Sequence, residues 1–383
     1  MNRSNLSPKK NKDYTRRAST AIRKSHAGRG SFSTYLVAEY LPGRVAAGRA
    51  PKTIQTYTDD INNHIIPALG NLPLSRIDTE SLQLFVNHLR TRKQLDPKTI
   101  KNIFGVVSAA LNQAAKLGRI PANPAKLVEL PRRSNTEQLT KNERSDAMAW
   151  CRDEIRGFFR AAPPRSEMTR WAVVGGSTGM RPGEQCARKW TDWHGDRLRI
   201  SSAVAQTGRT ARKEERSIPH WQLAVTKNRS RRRIKLSNEC IQALREQRDH
   251  VEHLRAIGKI SAEQAKYIFP SYSGPQPFSN PAKMYNRWRY FITGHKSARQ
   301  YVHSTALPGV RFIPLYGLRH THATDLLRNG LNVKFVAKRL GTSVKMVEEH
   351  YGHVLEDMED DAIGGLPPMG YAREPLEGEL EIA

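Results

Sequence analysis

The sequence predicts a mostly α-helical protein with a small β-sheet, divided into a helical domain and a larger mixed α+β domain. Three observations carry this. Apolar residues recur at helical spacing through 31–131. Alternating, β-branched stretches follow at 198–205 and 223–236, which fits a small sheet. Helical periodicity then returns at 238–257, 261–268 and 317–354. A chain of 383 residues accommodates two domains plus tails, and 38% hydrophobic residues suffice for their cores.

Residues 1–30 are polar and basic, with Lys9, Lys10, Lys12, Arg16, Arg17, Arg23, Lys24 and Arg29, and are expected to form a flexible arm. The helical domain spans 31–131. Its first helix carries Phe32, Tyr35, Leu36 and Tyr40 on one face. Pro51-Lys52-Thr53 starts a second, which Pro67 to Gly70 ends. Asp78-Thr79-Glu80-Ser81 caps a third, bearing Leu82, Leu84, Phe85 and Leu89, and Asp96-Pro97 starts a fourth. Residues 132–145 read as a polar linker, 146–356 as the mixed domain with a basic insert at 207–216, and 357–383 as an acidic tail without a core.

Lys and Arg total 63 against 36 acidic residues, a net charge of +27. Such an excess calls for a polyanionic partner, nucleic acid first. The three cysteines, Cys151, Cys186 and Cys240, are far apart, so neither a zinc site nor a disulfide framework is indicated, and a reducing cytoplasm fits. No apolar run reaches the about 18 residues of a membrane span, and the basic N-terminus lacks the apolar segment of a secretory signal.

Four positions carry chemistry. Arg181, in Thr-Gly-Met-Arg-Pro-Gly-Glu, follows a tight turn and precedes a proline suited to a helix start, where an anion is favoured. Arg319 lies in Leu-Arg-His-Thr, among core-like Leu318, Ala323 and Leu326 that can hold it rigidly. Arginine offers a fixed fork of donors matched to phosphate oxygens. Lys227, in Val-Thr-Lys-Asn-Arg-Ser, falls at a basic turn between strands, where a flexible ammonium can protonate a leaving oxygen. Tyr351, in His-Tyr-Gly-His, offers an oxygen nucleophile able to form a covalent intermediate. Each residue alone also has a plainer reading: a surface ion pair of Arg181 with Glu184, a solvated turn lysine, an Arg319 capping or bridging a helix, a core tyrosine beside Val347.

Together these motifs resemble the tyrosine recombinases of the phage integrase family, from about Phe32 to about Leu355, most specifically across 315–354. The resemblance implies a core-binding, SAM-like helical domain and a catalytic domain that breaks and rejoins double-stranded DNA at attachment sites. It makes Tyr351 the nucleophile of a 3′-phosphotyrosyl link, Arg181 and Arg319 the phosphate-holding arginines, Lys227 the proton donor, and Glu184 the supporting acid. Lys52, Arg229, Arg231, Arg232 and Arg233 are expected DNA contacts. Two positions depart from the family pattern. Tyr316 stands where a histidine usually precedes the second arginine, and Thr342 where histidine or tryptophan usually precedes the nucleophile. Both keep a hydroxyl able to bond a phosphate oxygen, and neither is a base near neutral pH. The acceptor of the tyrosine proton therefore stays open among His320, His322, His350 and His353.

The resemblance further implies a homotetramer on DNA, accessory DNA-bending or directionality proteins, no cofactor, metal or ATP, no membrane, and a bacterial cytoplasm with the protein on the nucleoid when bound. Competing readings are a type IB topoisomerase-like enzyme and a catalytically decayed DNA-binding protein. The stretch 330–350 can also be read as a helix-turn-helix of a regulator, although a regulator has no use for Arg181 or for Tyr351 at this spacing.

Overall fold

The computed structural model describes residues 30–132, 148–212, 215–226, 231–294 and 305–364. They fall into two compact units, one drawn from 1–138 and 206–222, the other from 139–205 and 223–383. The basic arm, most of the linker, Lys227 and Arg229 lie outside the described residues.

The first unit is helical: α1 (Phe32–Tyr35), α2 (Leu41–Ala46), α3 (Pro51–Asp60), α4 (Ile66–Leu69), α5 (Thr79–Thr91) and α6 (Pro97–Lys116). Single π-helical turns at Leu36–Tyr40 and Ile61–Ile65 join α1 to α2 and α3 to α4. Each precedes a proline, Pro42 or Pro67, and opens the backbone around the carbonyl that the ring would otherwise meet. Phe32, Tyr35, Leu36 and Tyr40 are all buried, as their spacing predicts. Asp78 accepts the Ser81 backbone N–H at 2.8 Å while the Ser81 hydroxyl accepts that of Asp78 at 3.2 Å, closing a reciprocal cap on α5. Leu84 breaks the predicted face: it is exposed, one position off the stripe formed by Leu82, Phe85 and Leu89. α6 contributes Ile100, Ile103, Val107, Leu111 and Ala114 to the core.

After residue 148 the chain forms α7 (Arg152–Ala161), α8 (Glu167–Thr178), α9 (Pro182–Cys186), strands β1 (Trp193–His194), β2 (Arg197–Ile200), β3 (Ser202–Arg212), β4 (Glu215–Val225) and β5 (Arg232–Lys235), then α10 (Asn238–Ala256), α11 (Pro281–Thr293), α12 (Gly317–Arg328), α13 (Val333–Leu340) and α14 (Val344–Gly364). The sheet runs β1-β2-β5, antiparallel, and β3 pairs with β4 as a separate two-stranded ribbon, of which residues 206–222 are grouped with the first unit.

Several expectations are corrected. The described residues of the basic insert at 207–216 belong to the ribbon strands. The helix expected at 261–268 shrinks to a short 3₁₀ turn at Gln264–Lys266, because the chain turns extended at Tyr267 and buries Tyr267, Ile268 and Phe269. The helical stretch 317–354 is divided into α12, α13 and α14, with the break between the last two at the 340–343 turn. The backbone of α14 continues past Asp357 to Gly364, into the segment read as a coreless tail. Among the described residues no helix is long and apolar enough to cross a membrane.

Candidate active site

Four local structures converge in the second unit. The first is the end of α8. Gly179 stops the helix in the left-handed region at φ +61°, and a Cβ there would lie 2.6 Å from Leu340 Cδ2 and 2.7 Å from His322 Cδ2. The turn delivers Arg181 as the N-cap of α9, with Pro182 at the first helical position as predicted. The second is α12, whose first residue, Gly317, has no room for a side chain because the Met148 carbonyl oxygen occupies the place where a Cβ would sit. This close seat fixes Arg319, His320 and His322, all buried. The third is the left-handed C-cap Gly341 of α13, which leads into Thr342. The fourth is α14, bent at Tyr351, whose φ of −129° and ψ of 15° are not helical.

Arg319 is only 3% exposed. Its Nη1 donates to the carbonyls of Gly179 and Leu340, each at 2.8 Å. Two helix ends thus anchor one side of the guanidinium. Burial, and then the positive Arg181 beside it, pushes its pKa down to about 10, so it is still charged at neutral pH. Arg181 donates from Nη1 to Glu184 Oε1 at 3.0 Å and from Nη2 to the Gly341 carbonyl at 3.4 Å.

Glu184 is the hub. Its carboxylate is 1% exposed and accepts the Arg181 backbone N–H at 3.0 Å, the Arg181 guanidinium, and both Arg232 Nη atoms at 3.2 and 2.8 Å. Burial raises its pKa, yet the hydrogen bonds and charges of Arg232 and Arg181 outweigh that and hold it below the usual carboxylate range. One carboxylate therefore faces Arg181, Arg232 and, further off, Arg319. The cluster keeps a surplus of positive charge, which suits a bound phosphate.

Tyr351 is 5% exposed and packs with Ala323, Leu327, Val336, Leu340 and Val347. Burial raises its pKa and Arg319 only partly counters this, so the phenol is protonated in the free protein. The His320 ring lies against it, centroids 5.5 Å apart, and Tyr316 and His350 flank His320 at 5.2 and 6.4 Å. Tyr316 is exposed, with the Arg319 guanidinium 6.0 Å from its ring centre. Thr342 is half-buried; its N–H donates to the Ala337 carbonyl at 3.0 Å.

Arg181, Glu184, Tyr316, Arg319, His320, Thr342 and Tyr351 thus share one neighbourhood. Lys52 is exposed on α3 in the other unit. The basic turn divides by strand alternation: Arg231 and Arg233 are exposed, whereas Arg232 is buried, paired to Glu184, and donates from Nε to the Arg339 carbonyl at 2.8 Å. Arg232 is therefore an internal strut rather than the DNA-facing arginine that the basic run suggests. With Arg199, Ser201, Arg231 and Arg233 it lines a pocket of about 540 Å³.

Sequence reading also misses Arg339, which donates from Nε to His322 Nε2 at 2.9 Å and from Nη2 to the carbonyls of Ser177 and Lys235. Arg188, 1% exposed, ties the Glu184 carbonyl at 2.9 Å to those of Arg199 and Ser202, each at 2.6 Å. No local motif marks either residue; their partners are set by tertiary packing.

A mostly helical two-unit chain thus brings two arginines and a buried tyrosine together in one cluster. The sequence pattern of the phage integrase family matches residues 138–358, more than half of the chain, and that of the phage integrase N-terminal SAM-like domain matches 34–90. The chain belongs to the phage integrase family, the tyrosine recombinases. A XerC-like tyrosine recombinase of Caldanaerobacter subterraneus subsp. tengcongensis is 25% identical over 332 residues, covering 84% of this chain and 79% of its own. An integrase of Saccharopolyspora erythraea is 23% identical over 361 residues, covering 82% and 77%. Among solved structures, a lambda integrase dimer bound to a COC′ core site shares the fold with a TM-score of 0.53 at 17% identity, over 84% of this chain and 95% of that one.

Proposed function

We propose that the protein is a site-specific recombinase that integrates or excises a mobile DNA element, with Tyr351 as nucleophile. Arg181 and Arg319 hold the non-bridging oxygens of a scissile phosphate. The Tyr351 oxygen attacks phosphorus, the bond to the 5′ oxygen breaks, and Lys227 gives that oxygen its proton. The 3′-phosphotyrosyl link conserves the bond energy, and the 5′ hydroxyl of a partner strand reverses the step. Tyr316 and Thr342 add hydroxyl donors at the pocket edge. Glu184 and Arg232 keep Arg181 in place. Double-stranded DNA is the substrate, and a homotetramer joins two duplexes, with accessory DNA-bending proteins setting direction.

The observation that carries this reading is the gathering of Arg181, Arg319 and Tyr351, distant in sequence, around Gly179 and Leu340. A nicked suicide substrate tests it: the wild-type protein traps a covalent adduct, and Tyr351→Phe binds DNA but traps none. An adduct that survives in Tyr351→Phe overturns the assignment. Exchange between two sites, rather than relaxation of supercoils by a monomer, separates this reading from a type IB topoisomerase.

A further inference from the structure

Tyr316 and Thr342 leave the site without the histidines that the family pattern places there, so some other group must take the tyrosine proton. His320 alone among the described histidines is buried, packed ring to ring with Tyr351, and holds a nitrogen without a partner: its Nδ1 is enclosed and makes no hydrogen bond among the described residues. Buried polar atoms in native proteins are nearly always bonded, and an orphan calls for a role. His322 is also buried, but its Nε2 already accepts from Arg339. His350 is half-buried, with its ring centre 6.4 Å from that of Tyr351.

Building on Tyr351 as the nucleophile, we propose that His320 is a further catalytic residue, the general base that accepts the Tyr351 proton. As the Tyr351 O–H bond breaks, its proton passes to an imidazole nitrogen of His320. The oxygen–phosphorus bond forms, the bond to the 5′ oxygen breaks, and Lys227 protonates the leaving oxygen. His320 leaves the step as imidazolium and returns the proton when the tyrosine is expelled. The groups facing the ring favour its neutral, accepting form: burial first, then His350 and Arg319, push its pKa down to about 4. Tyr316 is the remaining ring against it, 5.2 Å away. A base contact of this kind is loose in a free enzyme and tightens on the substrate.

The experiment follows covalent adduct formation across pH about 6 to 9 on the full chain. Wild type is expected to give a flat profile. His320→Gln should lose about 10²-fold or more at neutral pH. Its residual rate should rise about tenfold per pH unit, as hydroxide replaces the base. Free imidazole should restore part of the rate to His320→Ala, and His350→Gln should keep the flat profile. A substrate with sulfur at the 5′ bridging position, whose leaving group needs no proton, should rescue Lys227→Ala but not His320→Gln. A folded His320→Gln with a flat profile, or one that the sulfur substrate rescues, overturns the proposal while Tyr351 keeps its role. Hydroxide dependence in His350→Gln instead moves the base to His350. An adduct in Tyr351→Phe marks failure of the underlying reading.

Discussion

At the residue scale the site is an arrangement of surplus charge. Arg319 has two fixed carbonyl partners and Arg181 has Glu184, so neither fork must be ordered when a phosphate arrives. Changing either to alanine should slow cleavage about 10²-fold or more, as losing a preorganised donor does, measured as adduct formation at saturating DNA. A drop of a few-fold at both would remove them from the reaction. Arg232 should behave unlike its neighbours. Arg232→Ala frees Glu184 to grip Arg181 with both oxygens and leaves the Arg339 carbonyl without its donor. Cleavage should then fall while the salt dependence of binding stays put. Arg233→Ala should lower the salt slope by about one and spare cleavage. Equal slopes for the two variants would restore Arg232 as a DNA contact. Thr342→Val should slow cleavage and Thr342→His be tolerated. Arg181, Arg319 and Tyr351 were legible because they sit in short motifs at family spacing. Arg232 was misread because a run of basic residues says nothing about which face of a strand each occupies, and that face is set by the pairing of Arg232 with Ile200.

At the element scale α12 carries the most constrained side chains. Its His320 and His322 have pKa values pushed down to about 4 and about 3, chiefly by burial, from the ordinary value near 6.5. The folded state rejects these protons and the unfolded chain accepts them. The stability they contribute is full above pH about 6.5 and falls as pH drops toward the folded values. The melting temperature should therefore decline steeply between pH 6.5 and about 4, and His320→Gln should flatten part of that decline. Protonation of His322 would also end its acceptance of the Arg339 N–H, since both ring nitrogens would then be donors. Gly179→Ala should lower both melting temperature and cleavage, because a Cβ there meets Leu340 and His322 and the backbone is left-handed. The caps at Asp78 and Asp96 and the helix start at Pro182 were legible from cap chemistry alone. The helices α7 and α11 were not. α11 is amphipathic only against a core assembled from distant chain, where Trp288 donates to the Ile313 carbonyl at 2.7 Å.

At the scale of the whole molecule the net charge of +27 was read as a polyanion partner, and membership of the phage integrase family agrees with that reading. Binding should weaken linearly in log–log with salt. The sheet adds something that composition could not show. In β2 and β5, Arg197 stands opposite Lys235 and Arg199 opposite Arg233, like charges in successive cross-strand pairs on the exposed face. Such pairs oppose strand pairing, and among the described residues Asp196 and Asp192 each offset one member of a pair. The free protein thus carries a stored electrostatic tension, and any anion that relaxes it couples binding to folding. An anion that binds the folded sheet and not the unfolded chain raises stability as its concentration rises above its dissociation constant. Sulfate or short duplex DNA should therefore raise the melting temperature of the wild-type protein more than that of Arg199→Ser with Arg233→Ser. The doubly substituted protein should melt higher than wild type at low salt, trading grip on DNA for rest in its absence.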